Sequence, residues 1–132
     1  MSYTIDFLND CKIFYLATIK DNKPAIRPFG AIMEFENNLY FSTANTKSVY
    51  EQIVENPFIQ IVALKPESRE WIRINGLAVE EKNVRIKSIM LEKCPILKKR
   101  FDSCNCPYFA LFKIIDKKAF LNTDNGISEL ND

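Results

Sequence analysis

The chain has 132 residues, 47% of them hydrophobic and 27% charged, which suits one domain (residues 1–132) with a packed core and excludes disorder. Lys plus Arg is 18 and Asp plus Glu is 17, and a net charge of +1 excludes the general basic footprint of a nucleic-acid binder or a polybasic membrane surface. There is no histidine, so histidine-assisted serine or cysteine catalysis within one chain is excluded, as is the commonest metal ligand.

The first residues, "MSYTIDFLND", have neither a basic n-region nor an apolar h-region. No apolar run is long enough to span a bilayer, so a cytoplasmic protein is expected, with Cys11, Cys94, Cys104 and Cys106 as reduced thiols. "SYTIDFLNDC" reads as a short amphipathic helix with Ile5 and Leu8 inward. "KIFYLATIK" reads as a strand, "DNKP" as a turn, and "AIRPFGAIMEFE" as one further strand. "NN" at 37 and 38 suits a hairpin into "LYFST", so these three strands are expected to form a meander.

"ANTKSVYEQIVEN" changes period to helical, with Asn45 or Thr46 as N-cap and Pro57 beyond the end. "FIQIVALK" and "EWIRINGLAVEE" are strands around the turn "PESR". "VRIKSIMLEKC" is an amphipathic helix that Pro95 interrupts, and "ILKKRF" adds a second short one. "YFALFKIID" and "KAFLNT" close the domain as a pair of strands, and the polar tail "DNGISELND" is expected to fray. This order is not βαβ alternation. It gives a mainly β domain with flanking helices (α+β), as a small antiparallel barrel.

Three stretches carry residues that could do chemistry. In "LYFSTANTKSVY" a strand ends in Ser42 and Thr43, and Lys47 lies at the start of a helix. Unpaired N–H groups, two hydroxyls and an ammonium would cradle a phosphate; the plainer reading is a capped helix with a solvated lysine. In "AIRPFG", Arg27 and Phe29 share one strand face, Pro28 removes a ladder donor, and Gly30 admits close approach. That describes either an edge strand protected against aggregation or a strand distorted to leave room beside it. In "EWIRINGLAV", Trp71 and Arg73 share a face, either covered by a ligand or partner or packed with the arginine reaching water. "CNCP" has the wrong spacing for a zinc pair, so no metal site is expected. Tyr15, Tyr40 and Tyr50 are acid–base candidates only by elimination, and catalytic residues are not assigned.

In order and spacing, "YLATIKDNKPAIRPFG", "NNLYFSTANTKSVYEQIVENP" and "EWIRINGLAV" resemble the pyridoxamine 5′-phosphate oxidase-like FMN-binding split-barrel family, nearest its small nitroimidazole-resistance-type subgroup. The resemblance covers most of the chain. It implies a split β-barrel and a homodimer with FMN at the subunit interface. It places Arg27 and Lys47 at the FMN phosphate, Pro28 and Phe29 beside the flavin, and Ser42 and Thr43 at the strand end facing the cofactor. Trp71 and Arg73 would reach the site from the other subunit. The absence of histidine, and a terminus reading "NGISELND", depart from true pyridoxamine phosphate oxidases and argue against that substrate. The function implied is an FMN-dependent oxidoreductase passing electrons from a small-molecule donor to a small acceptor, with a nitro-aromatic acceptor suggested by the subgroup. The alternatives are a non-enzymatic flavin-binding protein, and a small barrel that binds single-stranded nucleic acid on its aromatic strands, which the net charge opposes.

Overall fold

The computed structural model describes residues 2–131. Helix α1 (Tyr3–Cys11) starts where the Ser2 hydroxyl accepts the Ile5 N–H, and it buries Ile5, Phe7 and Leu8. Strands β1 (Phe14–Lys20), β2 (Lys23–Phe29), β3 (Ile32–Phe35) and β4 (Asn38–Ala44) precede helix α2 (Ser48–Glu55). Then come β5 (Phe58–Leu64), β6 (Trp71–Glu81) and helix α3 (Val84–Lys93). A 3₁₀ turn (Pro95–Lys99), β7 (Phe109–Thr123) and β8 (Gly126–Leu130) complete the described elements. No helix among the described residues is long and apolar enough to cross a membrane.

The strands form one antiparallel sheet in the order β2-β1-β5-β6-β7-β4-β3, with β8 added to β7. This corrects the expected meander. The stretch 25–36 is not one strand: it breaks at Gly30 and Ala31, and its halves lie at opposite ends of the sheet path. β2 pairs only with β1, and β3 only with β4. One short link therefore joins the two edges, and the sheet closes on itself as a split barrel. Both hairpins use paired left-handed residues, Asp21 with Asn22 and Glu36 with Asn37, so the second turn sits one residue earlier than "NN".

Two further expectations are overturned. "YFALFKIID" and "KAFLNT" are one strand, β7, which continues through Asp116 at φ 52 by bulging opposite Gly76 of β6. A Cβ on Gly76 would meet Ile114 Cγ2 and lie 3.1 Å from the Ile115 carbonyl, so the bulge needs glycine there. The tail forms β8 over Gly126–Leu130 instead of fraying, because β7 outruns β4 and offers it a free edge; Asp132 lies outside the described residues.

The core has two parts. The barrel interior holds Phe14, Leu16, Phe41, Ile61, Ile72, Ile74 and Phe112. A second cluster packs Met90, Leu91, Leu97 and Phe101 from α3 and the 3₁₀ turn against Met33, Tyr40, Phe109 and Leu111.

Candidate functional site

A cavity of about 320 Å³ opens between these two cores. One wall is the break between β2 and β3, with Pro28, Phe29, Gly30 and Ala31. The second is the end of β4, with Ser42, Thr43 and Ala44, continuing to Lys47. The third is the 3₁₀ turn, with Leu97, Arg100 and Phe101, and Ile13 completes the lining. Five of the eight residues singled out by sequence thus line one cavity: Pro28, Phe29, Ser42, Thr43 and Lys47.

Each wall is fixed by packing. Phe29 turns into the barrel, 5.8 Å from Phe14 and 5.9 Å from Phe41, ring centroid to centroid. Ser42 and Thr43 are held by pairing of β4 with β7. The Ser42 Oγ is buried and has no hydrogen-bond partner among the described residues, an arrangement that is costly unless a ligand completes it. The loop after β4 is tied down by Asn45, whose backbone N–H and Nδ2 donate to the Tyr108 and Pro107 carbonyls at 2.9 Å each.

Here the structure corrects the expected cap. Asn45 is committed to that loop, and the extended residue before α2 is Lys47 itself. No side chain caps α2, so its first turn keeps donors available to an anion beside the Lys47 ammonium.

Arg27 lies behind the cavity wall rather than in its lining. Its Nη1 donates to the Thr18 hydroxyl at 2.8 Å and to the Leu16 carbonyl at 3.2 Å, and Nη2 donates to Gln52 Oε1 at 2.8 Å. Thr18 in turn donates to the same Gln52 oxygen at 2.6 Å. These acceptors are all neutral. Burial lowers the Arg27 pKa, yet a guanidinium stays charged at neutral pH, and two of its five N–H donors are not used in these bonds.

Trp71 and Arg73 lie elsewhere. They sit on the outer face of the sheet, with the Arg73 guanidinium 4.9 Å from the Trp71 ring centre. Arg73 Nε and Asn122 Nδ2 are buried on this face without hydrogen-bond partners among the described residues. Register places Pro28, Tyr15, Val62, Arg73 and Phe120 in one row across five strands. Tyr15, Ile26, Leu64 and Ile127, on the same face, are exposed. The row meets the cavity at Pro28.

The acid–base candidates are not in the cavity. Burial, with smaller effects of Glu81 and Glu36, raises the Tyr40 pKa. The Tyr50 hydroxyl donates to Glu80 Oε1 at 2.6 Å, and that bond is the main cause of its raised pKa. Sequence reasoning missed Arg100 and the whole 3₁₀ wall. The run "KKR" offered a cation, but nothing local showed that it returns to the strand ends 25–43. Among the described residues no cluster could hold a metal ion.

A sequence search of curated proteins finds no match. Among solved structures, the chain is similar to a NimC/NimA family protein from Clostridium acetobutylicum, at 30% identity and a TM-score of 0.90, covering 96% of this chain and 88% of that one. A pyridoxamine 5′-phosphate oxidase-related, FMN-binding protein from Nostoc punctiforme shares the fold at 17% identity and a TM-score of 0.65, covering 92% and 89%. A haem-binding protein from Mycobacterium smegmatis shares it at 9% identity and 0.77, covering 95% of this chain and 55% of that one. The sequence profile of pyridoxamine 5′-phosphate oxidase matches residues 5–93, more than half of the chain. With its split-barrel sheet, the chain therefore belongs to the pyridoxamine 5′-phosphate oxidase family.

Proposed function

We propose that the chain binds FMN in the cavity between β2, β4 and the 3₁₀ turn, and acts in the cytoplasm as an FMN-dependent oxidoreductase. The observation that carries this reading is the lining itself: an apolar wall at Pro28 and Phe29, an unpartnered Ser42 hydroxyl, and Lys47 at the uncapped start of α2. These match an aromatic ring system at one end and a near-dianionic phosphate at the other. The FMN-binding relative from Nostoc punctiforme and family membership support the choice of cofactor. Haem fits less well, because this chain has no histidine to ligate iron.

The residues divide the work. Lys47 and the first N–H groups of α2 hold the phosphate, and Arg27 stands behind them with its two remaining donors. Thr43 and Ser42 offer hydrogen bonds at the strand end. Pro28 and Phe29 exclude water from one side of the ring. Bound FMN supplies the hydride-accepting chemistry, so the chain needs no catalytic acid or base of its own.

Ligand pockets for small molecules run from about 300 Å³ upward, so this cavity is at the small end, and a cofactor in it would extend past Pro28 toward the outer face. The exposed apolar side chains there, and the unpartnered Arg73 Nε and Asn122 Nδ2, favour a second copy of the chain as cover. In that homodimer Trp71 and Arg73 would approach the partner's cofactor.

The test is the absorption spectrum of the purified protein, followed by FMN titration and anaerobic mixing with NADH and NADPH. Bound flavin that is bleached supports an oxidoreductase. Bound flavin that neither donor reduces supports the non-enzymatic flavin-binding reading. Absence of flavin and of FMN uptake would sink both.

A further inference from the structure

Cys104 and Cys106 take no part in the cavity lining, and their spacing suits no zinc pair. They share one β-turn. The Cys106 N–H donates to the Ser103 carbonyl at 3.0 Å, and the Asn105 N–H donates to the Ser103 hydroxyl at 3.1 Å. Cα atoms two residues apart in such a turn are roughly 5–6 Å apart, inside the span of a disulfide. Both side chains are partly exposed, and both pack on the same core cluster, the one that holds Phe101 and Phe109. The other two thiols differ. Cys11 is buried, the Cys94 thiol donates to the Ile32 carbonyl at 3.6 Å, and burial raises the pKa of each.

The turn is joined to the cavity through backbone. Cys106 ends it and begins the next one, because its carbonyl accepts the Phe109 N–H at 3.1 Å. That second turn holds Pro107 and Tyr108, whose carbonyls accept both donors of Asn45. Asn45 lies two residues before Lys47, in the loop that leads into α2. A movement of Cys106 therefore reaches the start of that helix.

We propose that Cys104 and Cys106 form a reversible disulfide that loosens the Lys47 end of the cavity. The oxidant is hydrogen peroxide. One thiolate attacks it, breaks the O–O bond and becomes a sulfenic acid; the second thiol then displaces water to form the S–S bond. In total the two thiols lose two protons and two electrons, and the peroxide is reduced to two waters. A disulfide needs a fixed Cβ–S–S–Cβ dihedral, and the backbone of Asn105 and Cys106 must turn to supply it in so small a ring. The Pro107 and Tyr108 carbonyls then shift off Asn45. A thiol pair that cycles in this way is the usual form of disulfide in a reducing compartment. Its effect on FMN rests on the cofactor proposed above, whereas the disulfide and its effect on Asn45 do not.

The experiment treats the reduced protein with hydrogen peroxide. Trypsin cleaves after Arg100 and Lys113, so the pair lies in one peptide with no other cysteine. That peptide should become about 2 Da lighter, resist alkylation and recover in dithiothreitol. In the oxidised protein, amide hydrogen exchange at Asn45 and the first turn of α2 should be about tenfold faster. Cys104→Ser and Cys106→Ser should abolish both changes, and Cys94→Ser should keep them. Oxidation should weaken FMN by about tenfold and riboflavin by less than about twofold. Oxygen atoms added in place of the mass loss, a disulfide between chains or to Cys94, or Asn45 exchange untouched by the disulfide would each overturn the proposal and leave the FMN reading intact. Equal FMN affinity in the two states would overturn it too. A protein that gains the disulfide and the faster exchange but takes up no flavin would sink the FMN reading alone.

Discussion

Arg27 and Gln52 are joined across the end of the barrel, with Nη2 donating to Oε1 at 2.8 Å, and this bond links β2 to α2. Thr18 on β1 completes a ring of three side chains, donating to Gln52 and accepting from Arg27. The cation therefore ties down the helix whose start carries Lys47. Replacing Arg27 with alanine removes a donor from the Thr18 hydroxyl and from Gln52 Oε1, leaving only the Thr18–Gln52 bond of the ring, and should cost about 1–2 kcal/mol in urea unfolding of the flavin-free protein. Unchanged stability would show that the ring does not hold α2.

The Lys47 side chain has no such hydrogen-bond or ion-pair partner among the described residues. Lys47→Ala should leave the unfolding midpoint within about 0.5 kcal/mol of wild type, yet weaken FMN by about tenfold. Riboflavin, which lacks the phosphate, should be affected less than about twofold. Equal losses for both ligands, measured by flavin fluorescence quenching, would put the phosphate elsewhere.

The outer face makes a separate prediction. Ile26 is 66% exposed on the face that carries Trp71 and Arg73. Ile26→Asp should produce a monomer in sedimentation, because a charge there opposes apolar burial between copies. FMN affinity should fall with it. A monomer that keeps full FMN affinity would remove Trp71 and Arg73 from the partner's site.

Two glycines should behave oppositely. At Gly76 a Cβ would collide with Ile114 in the β6–β7 bulge, so Gly76→Ala should destabilise by about 1–3 kcal/mol in thermal or urea unfolding. At Gly30 a Cβ would meet only the Lys12 carbonyl, at 3.9 Å, so Gly30→Ala should be tolerated. The room beside β2 comes from the strand break and not from the missing side chain.

Tyr50 gives a pH dependence. Its hydrogen bond to Glu80, then burial, raises the phenol pKa above that of the unfolded chain. The folded state thus holds this proton more tightly. The associated stability is present below the unfolded tyrosine pKa, near 10, and is lost as pH rises through the folded value. Melting temperature should fall more steeply above about pH 10 in wild type than in Tyr50→Phe. Parallel curves would show that the bond contributes nothing.

The linear order of residues settled the local elements and much of the candidate site. The period switch at Ser48, the turn chemistry at Asp21 and Asn22, and the stop at Pro95 are contact-free preferences of backbone and side chain. Pro28, Phe29, Ser42, Thr43 and Lys47 could be named because they cluster in two short stretches at strand ends. Strand partnership could not be read that way. Pairing depends on which edges meet when the barrel closes, and a break of two residues at Gly30 and Ala31 sent β2 and β3 to opposite edges. The same closure bound Arg27 to Thr18 and Gln52, set Trp71 and Arg73 on the outer face, and brought Arg100 across from a segment more than fifty residues beyond Lys47. Local propensity acts within a few residues, whereas burial of a shared core selects among distant ones, so only the tertiary structure decided which cations face the cavity.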